Sequence, residues 1–252
     1  MAVELSALVG YLDGFLAHAA VPDYPPAHNG LQLEGRSPVR AVAAAVDASV
    51  PVAEAAAAAG VDLLLVHHGL LWDGAGPLVG PRFRRLRALI SGGVGVYASH
   101  LPLDAHPEVG NNIRLLRALA LEPAGRFAHF QGTPLGWWAA TDLAFEELVR
   151  RAEAALGGPV RCVGAQHRRV RRVGVLTGAG GGALADAAAL GLDAVVTGEL
   201  THPQGVQAEE LGLAVLLGGH YATETFGVRA LAAHLADRFE LRWTFLDHPT
   251  GL

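Results

Sequence analysis

Lysine does not occur anywhere in the 252 residues, and cysteine occurs once, as Cys162. A single cysteine cannot form an internal disulfide or a thiolate zinc site, and a chain without lysine has neither a Schiff-base amine nor a Walker A lysine. Long apolar runs are missing too. The longest apolar region is interrupted by Asp47, Glu54 and Asp62, which leaves nothing the length of a membrane span. The segment from Met1 to Tyr11 carries Glu4 and no basic cluster, unlike a signal peptide, so the cytoplasm is the expected location. With a formal net charge of -5, the chain has no broad positive footprint for nucleic acid. The arginines at 82, 84, 85 and 87, and those from Arg168 to Arg172, read as solvated faces.

What is abundant is apolar residues, 51% of the chain, with alanine prominent among them. That is enough for a substantial core built from closely approaching helices, in one large domain or two intimate lobes. The sequence also echoes itself. Val39-Arg40-x-Val42 recurs as Val170-Arg171-x-Val173, and Ala56-Ala57-Ala58-x-Gly60-x-Asp62 as Ala187-Ala188-Ala189-x-Gly191-x-Asp193, both at a spacing of 131. Each Asp precedes an apolar run, which ends in His67-His68 in the first copy and in Gly198-Glu199 in the second. At a spacing of 120, His100-x-x-x-Asp104 is echoed by His220-x-x-x-Glu224. Duplication of one α/β unit accounts for these recurrences.

Short apolar runs at 40–46, 62–66 and 94–99 alternate with helical patterns at 50–59, 81–92 and 109–120. The second copy places strands near 172–177, 193–197 and 213–218, and helices near 182–190, 203–211 and 223–236. Such alternation predicts two similar lobes, each a mostly parallel sheet flanked by helices. The expected division is 1–120, a connecting segment 121–169, and 170–252. An amphipathic helix carrying Leu5, Leu8, Leu12, Phe15 and Leu16 opens the chain, and Leu241 to Leu246 reads as a closing strand. The connecting segment contains a strand pattern at Gly136 to Thr141, where Trp137 and Trp138 read as packing residues, a helix from Leu143 to Leu156 and a strand near Pro159 to Val163.

Right-handed crossovers put the C-terminal ends of parallel strands on one edge, where open α/β sheets bind ligands. His67, His68, His100, Asp104, His220 and Glu224 all fall at such ends. Taken singly, a histidine pair reads equally well as a surface pair, and a His-x3-carboxylate reads better as ordinary loop residues. Together on one edge they read as metal ligands, with Glu224 suited to bridging two ions and Thr223 to capping the helix that follows. Mixed imidazole and carboxylate donors suit zinc, iron, manganese or nickel. Paired ions of this kind activate water and polarise a carbonyl or ring carbon. Glu199 and His202 are candidate proton donor and acceptor, Glu199 having the alternative of orienting a ligand histidine, and His100 is a further catalytic candidate. The glycine-rich run Thr177 to Gly182 either offers amides to an anion or only makes a turn. His28, His106 and His129 read as loop or surface residues.

Val66-His67-His68-Gly69-Leu70-Leu71-Trp72, Ser99-His100-Leu101-Pro102-Leu103-Asp104-Ala105-His106, Gly110-Asn111-Asn112, Thr197-Gly198-Glu199-Leu200-x-His202 and Gly219-His220-Tyr221-x-Thr223-Glu224, with Asn29-Gly30-Leu31-Gln32 near the start, resemble the GTP cyclohydrolase 1 type 2 homologue family, also called Nif-three-like. The resemblance covers nearly the whole chain. It implies a dinuclear metal site in the cleft between two α/β lobes, with ligands His67, His68, Asp104, His220 and Glu224, the last shared, and with His100 close by. It also implies a ring-shaped homohexamer. Many members have two histidines after the residue matching Glu199, whereas Pro203 follows His202 here. The functions left open are hydrolysis of a purine nucleotide or other nitrogen heterocycle, phosphoester hydrolysis, and a non-catalytic role as metal carrier or scaffold.

Overall fold

The structure, a computed structural model, describes every residue except Met1, Asp73, Ala75 and His167. The chain forms two compact units, one of residues 1–103 and 228–248, the other of 104–227 and 249–252.

In the first unit, β2 (Ala41–Asp47), β3 (Leu63–His68) and β4 (Gly95–Ala98) run parallel, with Val42 opposite Leu63 and Leu65 opposite Tyr97. They are apolar on both faces, and residues 41–46 and 63–67 are buried throughout, as a covered parallel sheet requires. The edges are β1 (Gly30–Leu33), antiparallel to β4, and β11 (Arg242–Phe245), parallel to β2, giving the order β1-β4-β3-β2-β11. Alanine sets the spacing of one face: Ala41, Ala43 and Ala45 meet Val52, Ala53 and Ala56 of α2 (Val50–Ala59). Ser49 caps that helix by accepting from Val52 N, and Gly60 ends it at a φ of 63°. The next helix, α3 (Gly80–Gly92), comes so near α2 that a Cβ on Gly92 would lie 2.8 Å from Ala57 Cβ. The opening helix α1 (Leu5–Phe15) buries Leu5, Leu8 and Leu12.

In the second unit, β8 (Arg169–Leu176), β9 (Ala194–Thr197) and β10 (Ala214–Leu217) are parallel. Antiparallel strands flank them: β7 (Arg161–Gly164) beside β10, and β6 (Thr133–Ala144) then β5 (Gly125–Phe130) beyond β8. The order is β5-β6-β8-β9-β10-β7. Short helices α4 (Leu101–Ala105) and α5 (Asn111–Ala118) lie between β4 and β5 in the chain, and α6 (Phe145–Leu156) between β6 and β7. The crossovers are α7 (Leu184–Ala189) and α8 (His202–Glu210), and α9 (His220–Phe239) follows β10, contributing residues to both units.

The duplication is visible in the ladders. The run β1-β4-β3-β2 is matched by β7-β10-β9-β8. Asp62 Oδ2 accepts the backbone N–H groups of Arg40 and Ala41 at 2.7 and 3.0 Å, and Asp193 Oδ2 accepts those of Arg171 and Arg172 at 2.6 and 2.9 Å. The repeated Asp is therefore a clamp between first and second strands, placed to absorb two backbone donors.

Four points differ from these expectations. The segment 121–169 is not a connector, since its strands β5, β6 and β7 hydrogen-bond into the second sheet; Leu241 to Leu246 belongs with the first sheet rather than with the second lobe. The strands β1 and β5 were not anticipated, because both lie on sheet edges and lack a continuous apolar run. The third-strand echo is slipped by one. Leu63 pairs with Gly95 and Ala194 with Ala214, while Ser99 N donates to Val66 O and Gly218 N to Thr197 O. By ladder position, His100 therefore answers to Gly219, and His220 follows one residue later.

Candidate metal centre

In the first unit, β3 ends in His67-His68 and β4 is followed by Ser99-His100. Adjacent strand residues face opposite ways, but here both rings lie at the strand end, their centroids 4.8 Å apart. His100 lies 4.9 Å from His67 and 5.6 Å from His68, and one ligand atom from each of the three comes within 4.8 Å of the others. Each ring is held from behind. His67, 1% exposed, sets Nδ1 3.0 Å from the Ser99 carbonyl. His68 Nδ1 is 2.8 Å from Asp47 Oδ1 at the end of β2, and His100 Nδ1 is 2.8 Å from Asp23 Oδ1. Carbonyl and carboxylate oxygens can only accept, so Nδ1 is the donor in each pair, and Nε2 is the nitrogen through which each ring could bind a metal.

The side chain of Asp23 is 7% exposed and also accepts from Asn29 Nδ2 at 2.8 Å and from Leu101 N at 2.9 Å. Burial alone would raise its pKa; the bonds from His100, Asn29 and Leu101 outweigh that and hold it below the usual carboxylate range. Asn29 Oδ1 receives His100 N at 2.7 Å, and Gln32 Oε1 receives Leu70 N at 2.6 Å. The Asn-Gly-Leu-Gln motif thus pins the loops that follow β3 and β4.

In the second unit, His220 opens α9. Its Nδ1 is 2.9 Å from Glu199 Oε1, and its Nε2 is 3.2 Å from Glu224 Oε2, one turn along the helix. The hydrogen bond to Glu224, opposed by burial and reinforced by the charges of both carboxylates, raises the His220 pKa to about 9. Glu224 is 3% exposed. Glycines make room for this pair: a Cβ on Gly178, whose φ is 65°, would lie 2.2 Å from Glu224 Oε1, and one on Gly198 would lie 2.8 Å from His220 Cα. Asp104, also buried, accepts from Asn111 Nδ2 at 2.9 Å, while Asn111 Oδ1 accepts Gly227 N at 2.6 Å. Asn112 donates to the carbonyls of Asp104 and Leu135 and accepts Thr177 N.

The family follows from the sequence as a whole. Residues 3–250 match the profile described as Duf34/NIF3 (NGG1p interacting factor 3). The chain belongs to the DUF34/NIF3 family. It is 44% identical to a protein of Deinococcus radiodurans named GTP cyclohydrolase 1 type 2 homolog, over 97% of this chain and 93% of that one. A Pseudomonas aeruginosa protein of the same name is 40% identical, over 99% of each. The crystal structure of a Thermus thermophilus protein superposes with a TM-score of 0.88 at 42% identity, covering 99% of this chain and 100% of that one.

Among the expected site residues of this NIF3 member, the structure groups His67, His68 and His100 as side chains able to hold a metal ion, and pairs His220 with Glu224. Asp104 is buried beside Asn111. Glu199 is bonded to His220, the orienting alternative considered for it, whereas His202 is exposed in the first turn of α8. Pro203 fits there because a helix start needs no N–H from it. Thr223 is not an N-cap: α9 already begins at His220, and Thr223 Oγ1 accepts Gly178 N at 3.0 Å. In the glycine-rich run, the amides of Thr177, Gly178 and Gly180 go to Asn112, Thr223 and Thr197, so these three are spent inside the fold rather than offered to an anion. His106 is buried, not a surface residue, and its Nδ1 accepts from Glu108 and Val109. Sequence reasoning missed Asp23, Asp47 and Asn111 as supports. For Asp47 the signal was there: a lone acid ending an apolar strand on the ligand-bearing edge.

No helix among the described residues is long and apolar enough to cross a membrane.

Proposed function

We propose that the chain binds two divalent transition-metal ions through His67, His68, Asp104, His220 and Glu224, with Glu224 shared and His100 a further ligand. One observation carries this reading. All four imidazoles among these residues place Nδ1 within 3.0 Å of an oxygen acceptor, which makes Nε2 the nitrogen by which each would bind metal; that of His220 faces Glu224 Oε2, so the two would meet an ion together. Such backing is what metal-ligating histidines need, because it fixes both tautomer and ring orientation. Imidazoles with buried carboxylates fit zinc, iron, manganese or nickel. Two ions, when bound, supply the Lewis-acid chemistry that activates water and polarises an electrophile. Hydrolysis of a purine nucleotide or another nitrogen heterocycle is the activity we favour.

The protein's own residues hold and orient. Glu199 keeps His220 in register, so Glu199→Gln lowers metal retention and leaves turnover per bound metal unchanged. Metal retained with turnover lost would instead give proton transfer to Glu199, with His202 next in line. Assembly into a ring-shaped homohexamer is part of the same reading, and sedimentation velocity tests it. The decisive measurement is elemental analysis after reconstitution with each candidate metal. We expect close to two equivalents, reduced more by Glu224→Gln than by His100→Ala; no more than one equivalent in the unaltered protein overturns the dinuclear reading. Full metal loading without turnover of any nucleotide, heterocycle or phosphoester would leave a metal carrier or scaffold.

A further inference from the structure

Aromatic residues make up only 6% of the chain, and two of them stand half-exposed beside the same histidine. The Trp72 indole meets the His100 ring edge-on, with centroids 4.8 Å apart, and lies 5.8 Å from His68; Tyr24 is 6.0 Å from His100. Trp72 is 38% exposed and Tyr24 48%. Both follow backbone that is hydrogen-bonded near the histidines. Leu70, buried and bonded through its N–H to Gln32, lies two residues before Trp72. Tyr24 N donates to Asp23 Oδ1 at 2.7 Å, and Pro25-Pro26 follow at once. Partly exposed rings next to a polar cluster leave apolar area in water unless something covers it.

Two of the side chains bonded to these histidines, Asp23 and Asp47, are acids. Acids and π-faces suit a planar ring better than an anionic group.

We infer that Trp72 and Tyr24 are specificity residues that stack a planar heteroaromatic ring beside His68 and His100. The inference rests on the metal reading above, and it adds the part of the site that selects a ring. Stacking on an aromatic side chain is sequence-tolerant and worth roughly one to two decades of affinity when the side chain is removed.

The test is equilibrium titration of the metal-loaded full chain with guanosine, adenosine and cytidine, using ribose as the ring-free control, with metal content measured on the same samples. At least one nucleoside is expected to bind and ribose not to. Trp72→Ala should weaken nucleoside binding about tenfold, Tyr24→Ala less, and Trp72→Phe by no more than about threefold, all with metal content unchanged. Trp243→Ala, which removes an exposed tryptophan on β11, should change nothing. If no nucleoside binds to fully metal-loaded protein, or if Trp72→Ala binds as well as the unaltered chain, the inference is wrong and the metal reading is untouched. If nucleoside binding falls only in proportion to metal content in Trp72→Ala and Trp72→Phe alike, Trp72 merely packs on His100 and the inference is again wrong. Nucleoside binding through Trp72 in protein that takes up no more than one equivalent of metal would keep the ring platform and remove the dinuclear reading.

Discussion

The two units carry the same ladder but fill its ligand edge with opposite chemistry. In the first, β2 ends in Asp47 and β3 in His67-His68; at the matching positions of the second stand Gly178 and Gly198-Glu199. The first unit therefore presents imidazoles with carboxylates behind them. The second presents His220 between two carboxylates, above glycines that give it room. The scaffold was kept, since both copies retain the Asp clamp. The strand ends diverged, since their side chains face a ligand edge and do not fill the core. Acceptors behind histidines recur by different routes: Asp47 comes from the neighbouring strand, Asp23 from the loop before β1, and Glu199 from the end of β9.

Breaking the second copy's cradle should have the largest effect. Gly178→Ala forces a Cβ against Glu224 and a side chain onto a backbone at φ 65°. The backbone term alone costs about 1–2 kcal/mol. A fall in thermal midpoint together with lost metal is expected from calorimetry and elemental analysis. Normal metal content in that variant would mean Glu224 is not held where a ligand must be.

The Asp clamps offer the next comparison. Asp62 is 8% exposed and Asp193 is more open, so Asp62→Ala should leave two amides without water and cost about 1–3 kcal/mol. Asp193→Ala should cost about half as much in urea unfolding, because water reaches the freed amides. Equal losses would make burial irrelevant to the clamp.

The supporting carboxylates can be ranked in the same way. The Asp23 side chain is 7% exposed and serves several donors, whereas the Asp47 side chain is 41% exposed. Asp23→Asn should lower metal affinity by about 10- to 100-fold, and Asp47→Asn by less, in a chelator competition. The reverse order would make His68 the more dependent ligand. Smallest of all, Arg169→Ala removes an exposed ion pair with Asp142 and should change stability by less than about 1 kcal/mol. A larger loss would show that the β6–β8 edge needs that pair.

Much of this protein follows from the order of its residues. Apolar runs at strand length, separated by helical patterns, determined the parallel strands β2–β4 and β8–β10, because a strand covered on both faces must be apolar at every position. Their chain order put His67, His68, His100 and His220 at strand ends, and the recurrent Asp62 and Asp193 marked the duplication. Tertiary structure decided what local patterning does not encode. Which sheet takes an edge strand depends on long-range pairing, so Leu241 to Leu246 left the second lobe for the first sheet. The one-residue slip between His100 and His220 is a matter of ladder register, which a spacing of similar letters cannot resolve among so many alanines and glycines. The acceptors behind the imidazoles lie far along the chain from the rings they hold, 77 residues for Asp23 and His100, and only folding brings a carboxylate to an Nδ1.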